Sequence, residues 1–143
     1  MDLLAGAGKT PVRVEKDVPG LIGTCLQQAL SREAITLVER GICDAASVDA
    51  VIKASFGRRL AVLGPRENAD LVGTDLTLDI HNTVLADLES RPGPSPLLEQ
   101  MVANGKLGMK TGQGFQSRTP AQATATREKV VRHLLALDKI LAN

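Results

Sequence analysis

The sequence predicts an all-α domain of about six helices, preceded by one short strand at the front. The main reason is periodicity. From Leu21 onward, apolar residues fall at Leu21, Ile22, Cys25, Leu26, Ala29, Leu30, Ala34, Leu37 and Val38. That is the i, i+3, i+4 rhythm of a long amphipathic helix, with an apolar stripe wide enough for deep burial. The same rhythm returns downstream in runs bounded by Gly, Pro, Asp and Ser. Only Thr10 to Lys16 alternates apolar with polar from Pro11 on, which reads as a strand. Pro11 suits the first position or an edge of such a strand. It has nothing here to pair with, so it reads as the last piece of a sheet that the sequence otherwise lacks.

Each boundary has a chemical reason. Ahead of the strand, Gly6-Ala7-Gly8-Lys9-Thr10 is similar to the tail of a phosphate-binding P-loop. Such a loop needs a glycine where Leu3 stands, with a strand before it and a helix after it, so the segment reads as a flexible turn. Gly41 stops the long helix. Asp44 is a candidate N-cap for the next helix, which carries Val48, Val51 and Ile52 and ends near Gly57. Pro65 suits the first turn of another helix, because it gives up an N–H that has no partner there. Glu67 and Asp70 share a face of that turn and read as charges complementing the helix N-terminus rather than as an acid–base pair. Gly73 ends the turn, and Thr74 or Asp75 can cap a helix carrying Leu76, Ile80, Val84 and Leu88. Residues 90–95 form a stiff Pro/Gly loop, and Ser95-Pro96 opens a helix that ends at Asn104-Gly105. Residues 117–126 are small and polar and read as a linker. The final helix carries Val130, Val131, Leu134, Leu135 and Leu141.

Composition narrows the function. A length of 143 residues fits one domain, and a net charge of +1 implies no polyanionic partner. With two Phe and no Tyr or Trp there is no platform for stacking bases, so nucleic-acid binding is not expected. No apolar run approaches a membrane span and no signal peptide is visible, so no membrane association is expected. Cys25 and Cys43 read as free thiols, which fits a reducing, cytoplasmic setting. Two His and two Cys, far apart, give no metal-ligand spacing. His81 and His133 each fall in a helical run and read as surface residues. Lys110-Thr111-Gly112 matches one box of penicillin-binding serine enzymes, but no serine has a lysine three residues later, so the match is chance.

The most informative stretch is Gly105 to Phe115, where four glycines and two lysines crowd together. Such backbone must turn sharply or pass close to something. Three other segments precede it in order: Lys16-Asp17-Val18-Pro19-Gly20-Leu21-Ile22-Gly23, Leu63-Gly64-Pro65-Arg66-Glu67-Asn68-Ala69-Asp70, and Gly73-Thr74-Asp75-Leu76-Thr77. Together the four resemble the C-terminal domain of the NAD-dependent 3-hydroxyacyl-CoA dehydrogenase family, over roughly residues 8 to 116. Glu33, Ala34, Leu37, Val38, Glu39 and Gly41 also fit.

The resemblance implies a helical domain of the 6-phosphogluconate-dehydrogenase-like type. The front strand is then left over from a Rossmann domain. Residues 1–17 become the end of a missing nucleotide-binding domain with its linker, and 18–143 a helical domain that closes the substrate cleft and dimerises. It implies an oxidoreductase that oxidises a 3-hydroxyacyl-CoA or related 3-hydroxy acid, in fatty-acid metabolism. NAD would be held by the Rossmann domain, in cis or in trans, and not by this chain, which has no G-x-G-x-x-G after a strand. Leu63, Gly64, Pro65 and Arg66 are the implied substrate-side residues. Thr24 stands where the family has an asparagine near the substrate and the catalytic histidine. It is either a site residue or a near-cap at the start of the long helix. Thr24, Cys25, Arg66 and Gln116 depart from the family's Asn, Arg, Phe and Tyr. These changes favour a polar substrate or a member with reduced activity. The alternative is a non-catalytic helical dimerisation module.

Overall fold

A computed structural model describes residues 2–141. The chain divides into two units, residues 1–31 and 32–143, with the boundary inside the long helix. The α-helices are α1 (Asp2–Gly6), α2 (Leu21–Glu39), α3 (Ala45–Ala54), α4 (Pro65–Val72), α5 (Thr74–Val84), α6 (Pro96–Ala103) and α7 (Pro120–Leu141). Short 3-10 turns cover Phe56–Arg58 and Leu85–Asp87. The all-helical expectation holds.

In the first unit the expected strand is absent. Residues 9–14 have no regular structure, and no strand exists among the described residues to pair with them. Alternation favours a strand only when a neighbour takes its N–H and C=O groups. The P-loop-like glycines belong instead to the end of α1, which the sequence reading missed. Gly8 N–H bonds to the Ala5 carbonyl at 3.0 Å and Lys9 N–H to the Leu4 carbonyl at 3.0 Å. This is a Schellman cap, and Gly41 and Gly105 close α2 and α6 with the same pair of bonds.

In the second unit, Asp44 Oδ1 accepts the Ser47 N–H at 2.7 Å, and Ser95 Oγ accepts the Leu98 N–H at 3.4 Å. Both caps are those expected. Asp44's carboxyl is held below its ordinary value, first by the Ser47 amide. Three boundaries differ. α5 ends at Val84, so Leu88, expected within that helix, lies beyond it and beyond the 3-10 turn Leu85–Asp87. The N-cap of α5 is Gly73, so Thr74 and Asp75 already lie inside the helix. The segment read as a linker is mostly helix, because α7 starts at Pro120. Thr119 and Gln122 form a capping box: Thr119 Oγ1 accepts the Gln122 N–H at 3.2 Å, and Gln122 Oε1 accepts the Thr119 N–H at 2.8 Å.

Among the described residues the buried apolar side chains are few: Val48, Ala69, Met101 and Ala123. Much of the order in this unit comes from a polar latch. Glu33, Thr36 and Glu39 recur every three residues along α2, and Thr36 is only 3% exposed. Glu33 Oε2 accepts the Glu89 N–H at 2.8 Å, Thr36 Oγ1 donates to Glu89 Oε2 at 3.4 Å, and Ser95 Oγ donates to Glu39 Oε2 at 2.9 Å. Arg91 bridges Glu39 at 3.5 Å and Glu89 at 3.3 Å. The Pro/Gly loop is thereby held against α2.

The Arg91 amide first, then its guanidinium and the Thr36 hydroxyl, hold the Glu89 carboxyl below its ordinary 4.5. A depressed carboxyl contributes stability above its unfolded value and loses it as pH falls through the folded one. The melting temperature should therefore drop as the pH is taken from neutral to below 4.5, the ordinary Glu89 value. Glu89→Gln should lower it at neutral pH and flatten that slope. An unchanged slope in thermal melts would remove Glu89 from the account.

Candidate functional site

The Gly105–Phe115 loop meets both sequence expectations. Gly105, Gly108 and Gly112 have φ of 70°, 74° and 75°, the turning positions. Gly114 is the close approach: a Cβ there would lie 2.8 Å from Gly108 Cα. The strands of the loop meet through a Gly108 N–H bond to the Gln113 carbonyl at 2.7 Å. Thr111 pegs the centre, its hydroxyl accepting the Leu107 N–H at 3.0 Å and donating to the Gln113 carbonyl at 3.1 Å. Lys110-Thr111-Gly112 therefore has a folding role and no serine partner. Gln116 donates to Asp49 Oδ2 of α3 at 3.0 Å and accepts from Arg118 Nη2 at 2.8 Å. The sequence marked Gln116 only as a departure; the structure makes it the tie between loop and helix.

Leu63, Gly64, Pro65 and Arg66 lead into α4 in the second unit. Leu63 N–H bonds to the Arg59 carbonyl at 2.8 Å, closing the turn before the helix. Gly64 is the N-cap and Pro65 the first helical residue. Glu67 Oε2 accepts the Gly64 N–H at 2.7 Å. This is one half of a capping box, since Gly64 has no side chain to return the bond. Glu67 is thus a capping residue, as expected. Leu63 and Gly64 are half-buried, while Pro65, Arg66 and Asp70 are exposed. The backbone bonds fix this corner and leave the Arg66 guanidinium projecting into solvent.

Thr24 lies in the first unit, where the chain reverses into α2. Gly20 has φ 81° and Leu21 φ 51°, two consecutive left-handed residues. A Cβ on Gly20 would lie 3.3 Å from both Cβ and Cγ2 of Thr24, so the packing of Thr24 depends on that glycine. Val18 accepts the Leu21 N–H at 3.0 Å, and Pro19 accepts from Cys25 Sγ at 3.2 Å. Thr24 is the fourth residue of α2 and its hydroxyl forms no hydrogen bond among the described residues. The near-cap role therefore does not describe it.

His81 and His133 are exposed on α5 and α7. Cys25 and Cys43 are free thiols. Among the described residues no cluster could hold a metal ion, and no helix is long and apolar enough to cross a membrane.

Comparison with known proteins extends the same pattern. A family model described as 3-hydroxyacyl-CoA dehydrogenase, C-terminal domain, matches residues 20–118. A 5-formyl-3-hydroxy-2-methylpyridine 4-carboxylate 5-dehydrogenase of Mesorhizobium japonicum is 36% identical over 140 residues, 98% of this chain and 45% of its own length. The human mitochondrial hydroxyacyl-coenzyme A dehydrogenase is 38% identical over 117 residues, 80% of this chain and 36% of its own length. A crystal structure of a 5-dehydrogenase for the same pyridine carboxylic acid, titled an NAD+ dependent dismutase, matches with a TM-score of 0.95 at 35% identity. That match covers 99% of this chain and 46% of the other. The chain thus spans less than half the length of these relatives. With a family match across both the glycine loop and the α4 corner, the chain belongs to the 3-hydroxyacyl-CoA dehydrogenase family and carries its C-terminal domain.

Proposed function

We propose that this chain is the helical half of an NAD-dependent oxidoreductase. It closes one side of a substrate cleft, pairs as a homodimer, and works with a Rossmann domain, in cis or in trans, that holds NAD. The substrate is a 3-hydroxyacyl-CoA or a related hydroxy acid. The carrying observation is the 36% identity spread over 98% of the chain to a dehydrogenase named for a pyridine carboxylate. An exposed Arg66 at the family's phenylalanine position favours that polar, anionic class over a simple fatty acyl chain. Residues 1–17 serve as the run-in from the nucleotide domain, and 18–143 as the working unit.

The homodimer rests on exposed apolar side chains of the second unit, among them Leu71, Leu78, Val102, Leu135 and Ile140. Such faces call for a covering partner.

The chain alone should not produce NADH with 3-hydroxybutyryl-CoA or a hydroxymethyl-pyridine carboxylate. Hydride transfer needs the nicotinamide positioned against the substrate, and the glycine fingerprint for that is absent from this sequence. With the NAD-binding half supplied, NADH should appear. Its absence with every hydroxy substrate would favour the non-catalytic dimerisation module, a reading prompted by Thr24 and Cys25.

Thr24 gives the finer test. Threonine offers one hydroxyl where asparagine offers two donors and an acceptor. In the complete enzyme Thr24→Asn should raise turnover. Thr24→Val should lower it about tenfold, the usual cost of one lost hydrogen bond in a site. A valine variant with a changed melting temperature and unchanged turnover would remove Thr24 from the site.

A further inference from the structure

An open cleft of about 730 Å³ lies between the glycine loop and the first turns of α7, wholly within the second unit. Three cations from three places line it: Lys110 on the loop, Arg118 at the junction and Arg127 on α7. No carboxylate lines it, although the chain has 16 acidic against 17 basic residues. None of the three cations belongs to an ion pair among the described residues. The Arg118 side chain has one polar partner among the described residues, Gln116 Oε1 at 2.8 Å, which anchors its guanidinium without neutralising it. The rest of the wall includes the apolar side chains of Met109 and Ala123.

The nearby helix start does not account for this concentration of charge. Pro120 has no N–H to offer, and the Thr119 and Gln122 amides are already bonded to each other's side chains. The Ala121 amide is the open one of this turn, and Ala121 does not line the cleft, so anion recognition here falls to the side chains.

We propose that this cleft binds a phosphate-bearing small molecule, held by Lys110, Arg118 and Arg127. Three uncompensated cations match a group carrying several negative charges, and a single carboxylate would leave most of them unneutralised. Guanidinium forks fit phosphate oxygens in pairs, with lysine adding a point charge. The volume suits a ligand from a diphosphate to a nucleotide. The proposal is argued from residues of the second unit alone.

The test is calorimetric titration of the full chain at low, matched ionic strength with inorganic pyrophosphate, ADP and citrate, alongside the Arg118→Gln, Arg127→Gln double variant. Pyrophosphate or ADP should bind the native chain, and the double variant should weaken that binding at least about tenfold with unchanged helical circular dichroism. ADP binding more tightly than pyrophosphate identifies a nucleotide as the source, and equal affinities identify the free anion. No binding by either, unchanged binding in the variant, or citrate binding as tightly would each overturn the proposal. A second readout needs no variant. Pyrophosphate should slow phenylglyoxal modification of Arg118 and Arg127, followed by mass spectrometry, with Arg13 and Arg32 unaffected; equal rates with and without pyrophosphate would also overturn it.

Discussion

Replacing Val131 and Leu135 together by aspartate is expected to convert a homodimer into a monomer in sedimentation at micromolar concentration. Both residues lie on one face of α7, four positions apart, and are 55% and 58% exposed. Val130 and Leu134 extend the same face. Burying such a side chain between subunits contributes about 2 kcal/mol. In a symmetric pair each substitution acts twice, and each new carboxylate must also be stripped of water. The loss of apolar burial alone reaches several kcal/mol, or on the order of a thousandfold in dissociation constant. Aspartate is accepted on an exposed helix face, so the helical spectrum should survive. A native chain that sediments as a monomer, or a double variant that remains a dimer, would remove α7 as the pairing surface.

Gly114→Ala is expected to lower the melting temperature by several degrees. The added methyl would sit 2.8 Å from Gly108 Cα and 3.2 Å from Gly108 N. Neither is a flexible side-chain end, and the Gly108 N–H is itself committed to the Gln113 carbonyl at 2.7 Å. The loop must then spread, and overpacking of this kind costs about 1–3 kcal/mol. At roughly 2–4 °C per kcal/mol for a chain of this size, the shift is easily measured. Gly93 is the control, because a Cβ there meets nothing within 4 Å. Gly93→Ala should leave the melting temperature close to native. Equal melting of the two alanine variants would mean that the close approach at Gly114 does not hold the loop.

The sequence carried the middle of the chain more fully than its ends, for physical reasons. Asp44, Gly41, Pro65, Ser95-Pro96 and Gly105 are local devices whose chemistry works within one turn, so their neighbours suffice to read them. The 10–16 segment failed because a strand is a property of two segments, and its partner is not among the described residues. The opening of α7 failed because Ala and Thr gave no apolar stripe, although Thr119 and Gln122 already spelled a capping box three residues apart. The glycine loop was legible as unusual backbone, but which glycine turned and which made room required coordinates. The reading of Leu63 to Arg66 as substrate-side residues rests only on the family resemblance, since nothing in its composition marks a substrate wall. The Glu33–Thr36–Glu39 latch was out of reach, because its partners lie more than fifty residues away in sequence.

That latch makes one backbone proton an internal gauge of assembly. The Glu89 amide has no helical carbonyl to hold it; its acceptor is a carboxylate on a helix 56 residues earlier in the chain. Its exchange with solvent therefore follows the docking of the loop onto α2 and is insensitive to fraying of either element by itself. Few amides in a helical protein separate those two events, and here the separation follows from one glutamate facing a loop.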